Sequence, residues 1–172
     1  MVEIVARRAV ALVEDVDPET EAARICQCNN ATLRKASRRI SQLYDTVLAP
    51  IGLKTTQYSI LRALDRLGPS SLNELATDLV MDRSTVGHNL RPLEREGLLE
   101  LAIDPDDRRG RKVTLTKTGR ARLAAGRALW VKAQERFESI YGVARAATLR
   151  DALREIASDD FADAFARSDK RR

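Results

Sequence analysis

Residues Leu98 to Thr116 read LLELAIDPDDRRGRKVTLT, and this stretch decides the fold. LLELAID reads as a strand. DPDDRRGR concentrates Asp, Pro and Gly, residues that favour turns, and KVTLT is rich in β-branched side chains. Residues 98–115 therefore read as a β-hairpin. Its tip is basic: Arg108, Arg109, Arg111 and Lys112 fall within five positions, followed by Lys117, Arg120 and Arg122. Such a cluster is a candidate for binding anions, although charge alone is equally compatible with a solvated loop.

On the N-terminal side stand two short helical segments. SSLNELATDLV (residues 70–80) opens with Ser71 at a cap position and Glu74 three residues later, the arrangement of a capping box. After a tight connection at Val80-Met81, MDRSTVGHNLRPLEREGLL (residues 81–99) has Asp82 placed to cap a helix and Gly97 placed to end it, with Pro92 inside. Two helices joined this closely outline a helix-turn-helix, which an antiparallel helix pair of no special function can imitate. The hairpin that follows turns the outline into a winged helix.

Further out, Leu33, Ala36, Ile40, Leu43, Val47 and Leu48 recur at three- and four-residue steps and predict an amphipathic helix over 30–49, stopped by Pro50 and Gly52. A second helix is expected to start at a Thr55 or Thr56 cap, to carry Ile60, Leu61, Leu64 and Leu67, and to break at Gly68-Pro69. Beyond the hairpin, Thr116 can cap a long helix over 117–141, broken at Gly142. One last helix is expected from Val143 to Ser158 or beyond. Residues 1–28 read as an arm.

The bulk numbers agree with a mainly α fold carrying a small β-hairpin wing. Hydrophobic residues make up 44% of the 172, yet only seven are aromatic, a composition of helices rather than of a sandwich or barrel. The net charge of +5 is mild, and its excess lies late: residues 82–122 carry ten basic against seven acidic groups. No apolar run is long enough to span a bilayer, and the first twenty residues lack the pattern of a signal peptide, so a cytoplasmic protein without membrane contact is expected. Catalysis is not expected either: there is one histidine, no Gly-rich phosphate loop after a strand, and no clustered set of metal ligands or acid-base groups. No cofactor is implied.

The run from Leu72 to Gly119, LNELATDLVMDRSTVGHNLRPLEREGLLELAIDPDDRRGRKVTLTKTG, resembles the core of the MarR family of winged helix-turn-helix transcription regulators. In that family a strand leads into a D-P-x-D-x-R loop, a second strand follows, and L-T-x-x-G opens the next helix. Asp104, Pro105, Asp107, Arg109, Leu115, Thr116 and Gly119 stand in those places, and EREGLL from Glu94 is a close variant of the family's E-x-G-L. The resemblance covers roughly residues 30–140. It implies a homodimer, with residues 1–28 as an arm in the dimer body, 29–54 as a dimerisation helix, 55–116 as the DNA-binding lobe and 117–172 as further dimerisation helices. The two lobes would meet successive major grooves of a palindromic double-stranded operator.

With Leu90 as origin and 100° per residue, Val86, Leu93 and Gly97 share its side and define a buried stripe. Ser84, Thr85, His88, Pro92 and Arg95 lie opposite, with Asn89 and Arg91 on the flanks. The small and hydrogen-bonding residues sit at the end of the helix that enters a groove in helix-turn-helix docking. Ser84, Thr85, His88 and Asn89 are thus the candidates for bases or phosphates, and Arg91 for a phosphate or a guanine edge. An ordinary solvated face is the competing interpretation. Pro92 removes the hydrogen bond that would end at the His88 carbonyl, so a bend is expected there, confining base reading to Ser84–Asn89 and leaving Arg91 and Arg95 to the backbone. In the wing, Asp107 can brace Arg109, which is assigned to a minor groove, with Arg108 and Arg111 on flanking phosphates.

A regulator of this kind answers to a signal. The resemblance implies a small effector, an aromatic acid or its coenzyme A thioester. Candidate contacts are Arg34 and Arg38, with Arg39 beside them, and Tyr58; these arginines can equally be surface charge. The alternative is a thiol switch at Cys26 and Cys28, whose spacing is too short for an ordinary disulfide within one chain. In the hydroperoxide-sensing branch of the family, however, the reactive cysteine's place, counted back from the tyrosine matching Tyr44, falls here on Asn30, and Thr55 stands where that branch has a second tyrosine. A winged-helix module that binds only protein is a further alternative, to which a basic wing would be of no use.

Overall fold

The amphipathic repeat from Asn29 does form a helix, α1 (Asn29–Leu48), which passes into a single 3-10 turn at Ala49–Ile51 and ends at Gly52 with φ of +68°. The computed structural model describes residues 28–103 and 110–168. These fall into two compact units, residues 1–42 and 43–172. Of the first, the described part is Cys28 and the opening of α1, whose side chains are exposed up to Arg39.

In the second unit, α2 (Thr55–Leu67) follows the 3-10 turn, but not with the cap expected from the sequence. Lys54 is the N-cap residue, and its N–H donates to Gln57 Oε1 at 2.8 Å. Thr55 is the first helical residue; its N–H and its hydroxyl both donate to Asp45 Oδ1, at 2.6 and 2.7 Å. A carboxylate from the end of α1 thus satisfies the start of α2, a tertiary solution that local spacing cannot reveal.

β1 (Ser70–Ser71), α3 (Leu72–Asp78) and α4 (Arg83–Arg95) come next. The capping box is present: Ser71 Oγ accepts from the Glu74 N–H at 3.2 Å, and Glu74 Oε2 accepts from the Ser71 N–H at 2.7 Å. Asp82 is the N-cap of α4, yet its carboxylate accepts no capping bond. The hairpin is β2 (Leu99–Ile103) and β3 (Arg111–Leu115), antiparallel, with Leu99 opposite Leu115 and Ile103 opposite Arg111. A third strand had no signal in the sequence. β1 pairs with β3, Ser70 opposite Val113, so the sheet order is β1-β3-β2. Two residues are too few to show a period.

α3 and α4 end alike. The Leu98 N–H donates to the Leu93 carbonyl and the Gly97 N–H to that of Glu94, both at 2.9 Å, around a Gly97 with φ of +67°. The Met81 N–H donates to Ala76 and the Val80 N–H to Thr77, at 2.8 and 3.2 Å, around a Val80 with φ of +51°. Both are Schellman caps. Gly97 is exposed and not part of the buried stripe; the angular count placed it there only by extending α4 two residues past its end.

The apolar side chains of α2 close on those of α3, α4 and the sheet: Ile60, Leu61, Leu64, Leu75, Val86, Leu90, Leu93, Leu98, Leu99, Val113 and Leu115 form one core, joined by Leu48, Leu53 and Leu123. Then come α5 (Lys117–Tyr141), α6 (Val143–Ile156) and α7 (Asp159–Ser168). The C-terminal part is thus two helices rather than the one expected after Gly142. Ser158 breaks it, accepting from the Phe161 N–H at 3.2 Å, with Asp159 and Asp160 in the first turn that follows. That Ser-Asp-Asp sequence is a helix start that the apolar periodicity had masked.

Candidate nucleic-acid interface

The outward side of α4 is built by the core behind it. Val86, Leu90 and Leu93 are buried, which turns Ser84 and His88 outward, with Arg91 exposed on the flank. These three line a surface hollow of about 650 Å³ with Arg83, Gly87 and Leu72. Arg83 was missed from the sequence because seven residues at 100° each bring it within about 20° of Leu90, on the side of the buried stripe, yet it is exposed and adds a second cation to the row. Thr85 lies on the other flank, in a hollow shared with Asn73, Thr77 and Val80. The structure therefore brings Ser84, His88 and Arg91 together and sets Thr85 apart from them.

Asn89 is half-buried, and its Nδ2 donates to the Thr85 carbonyl at 2.8 Å. One N–H of that amide is thereby held on its own helix, which leaves the second N–H and Oδ1 for an outside partner. Pro92 is half-buried within α4, which continues through it to Arg95, so the proline does not end the helix. It does leave the His88 carbonyl without the donor an ordinary residue would supply, next to the candidate row. Arg95 is exposed in the last turn.

In the hairpin, Val113 and Leu115 point into the core while Arg111 is exposed. Asp104, Pro105, Asp107, Arg108 and Arg109 lie outside the described residues, as do Cys26 and Lys170 to Arg172. Of the basic residues after the wing, Arg122 is no free cation: it donates to the Ile51 carbonyl at 2.7 Å and lies 4.0 Å from Glu96 Oε2. It is part of the scaffold.

The base of the wing explains the T-x-x-G spacing. The Thr116 N–H donates to the Leu98 carbonyl at 3.1 Å and its hydroxyl to the Gly97 carbonyl at 2.7 Å. The same hydroxyl accepts from the Gly119 N–H at 3.0 Å and so caps α5. A Cβ on Gly119 would stand 1.9 Å from the Leu98 carbonyl oxygen. One threonine and one glycine thereby lock the end of α4, the hairpin and the start of α5 together.

A second hollow lies between α2, the end of α3 and α5. Tyr58 on α2 is 3% exposed, and its hydroxyl has no hydrogen-bond partner. It borders a cavity of about 290 Å³ lined also by Arg62, Arg66, Asp78, Leu79 and Trp130. The Arg62 guanidinium lies over the Trp130 ring, 5.7 Å from its centre, and Arg66 is paired with Asp78 at 2.5 Å. Gly126 on α5 makes the approach of Tyr58 possible, since a Cβ there would stand 2.6 Å from the tyrosine ring. The cations bordering this cavity are Arg62 and Arg66, neither singled out from the sequence; Arg34 and Arg38 are exposed along α1. An arginine that stacks on a tryptophan from another helix gives no local signal.

Tyr44 donates to Gln134 Oε1 at 2.9 Å; Gln134 in turn donates to Glu138 Oε1 at 3.1 Å, as does Arg150 at 2.8 Å. Burial, and then the Glu138 charge, push the tyrosine's pKa up, while the hydrogen bonds from Gln134 and Arg150 hold the Glu138 carboxyl below its usual range. Cys28 is exposed and immediately precedes α1, its carbonyl accepting from the Thr32 N–H. Among the described residues no three His, Cys, Asp or Glu side chains group as metal ligands, and no helix is long and apolar enough to cross a membrane.

Comparison with known proteins agrees with this geometry. The MarR family profile matches residues 53–110. The transcriptional activatory protein BadR of Rhodopseudomonas palustris is 30% identical over 148 residues, 81% of this chain and 76% of that protein. Four other relatives, all named as HTH-type regulators, are matched over 52% to 61% of their length. Among solved structures, the transcriptional repressor CouR bound to a 23-mer DNA duplex superposes with a TM-score of 0.71 at 29% identity, covering 78% of this chain and 95% of that one. CouR bound to p-coumaroyl-CoA gives 0.69 at 27%, covering 78% and 94%. The Bordetella bronchiseptica regulator BpsR, whose DNA binding is regulated by 6-hydroxynicotinic acid, gives 0.67 at 26%, covering 76% and 94%. The winged fold, the motif run from Leu72 to Gly119 and these relatives converge on one conclusion: the chain belongs to the MarR family of transcription regulators.

Proposed function

We infer that this protein is a cytoplasmic, homodimeric, sequence-specific double-stranded DNA-binding regulator, a repressor that a small aromatic acid or its acyl thioester releases from a palindromic operator. The observation that carries the reading is the solvent-facing row of Arg83, Ser84, His88 and Arg91 on a helix whose other side is locked into the lobe core. Ser84 and His88 read base edges in the major groove, with Thr85 and Asn89 at the margins of that contact. Arg83, Arg91 and Arg95 hold phosphates. Asp107 braces Arg109 in the minor groove, flanked by Arg108 and Arg111. The Tyr58 cavity, with an unpartnered hydroxyl and two guanidinium groups, suits the carboxylate and ring of an effector better than Arg34 and Arg38 do; its volume takes one substituted aromatic ring.

Dimerisation is supported by what α1 and α5 to α7 leave uncovered. Leu43, Ile140, Val143, Phe161 and Phe165 are all exposed in the single chain. The arm, α1 and the last three helices form the dimer body in this reading, with residues 55–116 as the DNA-binding lobe.

The test is fluorescence anisotropy on DNA from upstream of the protein's own coding region, titrated with salt and unrelated competitor DNA. Specific binding by a dimer is expected. Arg109→Ala should weaken binding to specific and unrelated DNA alike and lower the salt slope by about 1. Equal affinity for operator and competitor at every salt concentration would overturn the reading.

A further inference from the structure

We propose that the Tyr58 cavity is coupled to DNA binding by competition for Arg66: an aromatic carboxylate bound there takes the Arg66 guanidinium from Asp78. This rests on the reading of the cavity as an effector site. Arg66 lies in the last turn of α2, and Asp78 is the last residue of α3, the first helix of the helix-turn-helix. Their ion pair, at 2.5 Å, ties the two elements at the rim of the cavity. Arg66 is largely exposed, so it can turn toward a ligand; Asp78 is much less so.

The position of Asp78 makes the loss of this tie matter. Leu79, the next residue, also lines the cavity, and Val80 after it holds the left-handed conformation that sets the turn into α4. A β-branched residue keeps that conformation only while its surroundings impose it. Releasing Asp78 therefore loosens the turn two residues before the strained position and shifts the angle at which α4 presents its row. A ligand shifts this equilibrium only through its different affinity for the two states, and here that difference is the guanidinium it gains where the DNA-competent state keeps it on Asp78.

Linkage gives the competition a signature that mere ligand contact lacks. Neutralising the competitor with Asp78→Asn should make the ligand bind more tightly and DNA bind more weakly. Because the pair is largely solvated, each effect should be about two- to fivefold. Arg66→Ala should weaken both.

Trp130 is the sole tryptophan and lines the cavity, so its fluorescence reads the site directly. The experiment titrates the full-length protein and the two variants with 6-hydroxynicotinate and 4-hydroxycinnamate, following Trp130 emission and operator anisotropy in parallel. Quenching in the unmodified protein, opposite shifts for Asp78→Asn and joint losses for Arg66→Ala support the proposal. Unchanged ligand affinity, or unchanged operator affinity, in Asp78→Asn overturns it. If neither acid alters Trp130 emission at millimolar concentration, the proposal falls while DNA binding by the unmodified protein stands. If Trp130 responds but no operator is bound specifically, the DNA-binding reading fails instead.

Discussion

The lobe between Thr55 and Thr116 and the helices that flank it are built from the same few apolar residue types but dispose of them differently. In the lobe, eleven aliphatic side chains from α2, α3, α4 and the sheet close on one another with almost no exposure. Along α5, α6 and α7, the fully buried hydrophobics beyond Leu123 are the two alanines Ala133 and Ala146, while Ile140 is 80% and Phe165 74% exposed. The lobe buries its apolar side chains against one another, with Leu48, Leu53 and Leu123 from the flanking segments closing the same core. The flanking helices have the apolar surface of a core without the second layer that would complete one.

Two variants probe that contrast from its two sides. The largest expected effect is where α5 meets the base of the lobe: Gly119→Ala places a methyl group inside contact distance of the Leu98 backbone oxygen, which cannot retreat without opening the hairpin, and should cost about 3 kcal/mol or more. Thermal unfolding monitored by circular dichroism checks this, and a loss below about 1 kcal/mol would mean that the Leu98–Thr116 junction yields easily. Next comes the paired change Ile140→Glu with Phe165→Glu, which should leave the lobe folded and abolish the proposed dimer. Losing the second lobe's simultaneous contact should lower operator affinity about a hundredfold. Light scattering and anisotropy on the same samples separate the effects; a variant that stays dimeric shows that these two side chains are not where the copies meet.

What could be read from the sequence follows the same division. Within the lobe, the capping box at Ser71 and Glu74, the hairpin, and the Thr116 cap are local patterns, and the structure has them where spacing put them. The outward positions of Ser84 and His88 follow from the period of Val86, Leu90 and Leu93. Features that depend on two distant segments were not legible. Asp45 capping α2, Ser70 pairing with Val113, and Arg62 lying over Trp130 each join residues whose neighbours in sequence say nothing of the other. The sequence singles out Arg34 and Arg38 of α1 beside Tyr58; the arginines that border the cavity next to Tyr58 are Arg62 and Arg66 of α2, on the same helix as the tyrosine. The single C-terminal helix expected from apolar spacing overlooked Ser158, because the hydrophobic repeat runs on across the break.

The smallest effect sharpens a comparison inside the lobe, between its two Schellman caps. Both put one residue in the left-handed region, Gly97 after α4 and Val80 after α3. For an L-residue that conformation costs about 1–2 kcal/mol, which glycine avoids. Val80 is 72% exposed, so its side chain recovers little by burial. Val80→Gly should relieve the strain, offset by about 0.4–1 kcal/mol from the greater freedom of the unfolded chain. The balance is a gain of about 0.5–1 kcal/mol, or a rise of about 1–4 °C in melting temperature for a chain of this size. Gly97→Ala should do the reverse, losing about 1 kcal/mol, because no atom lies within 4 Å of the added Cβ and the backbone conformation alone sets the cost. If Val80→Gly instead destabilises the lobe, the exposed valine makes contacts that outweigh its strain. If it stabilises the lobe yet weakens operator binding, the strain at Val80 serves to fix the angle of α4, which separates a cap that only ends a helix from one that aims the next.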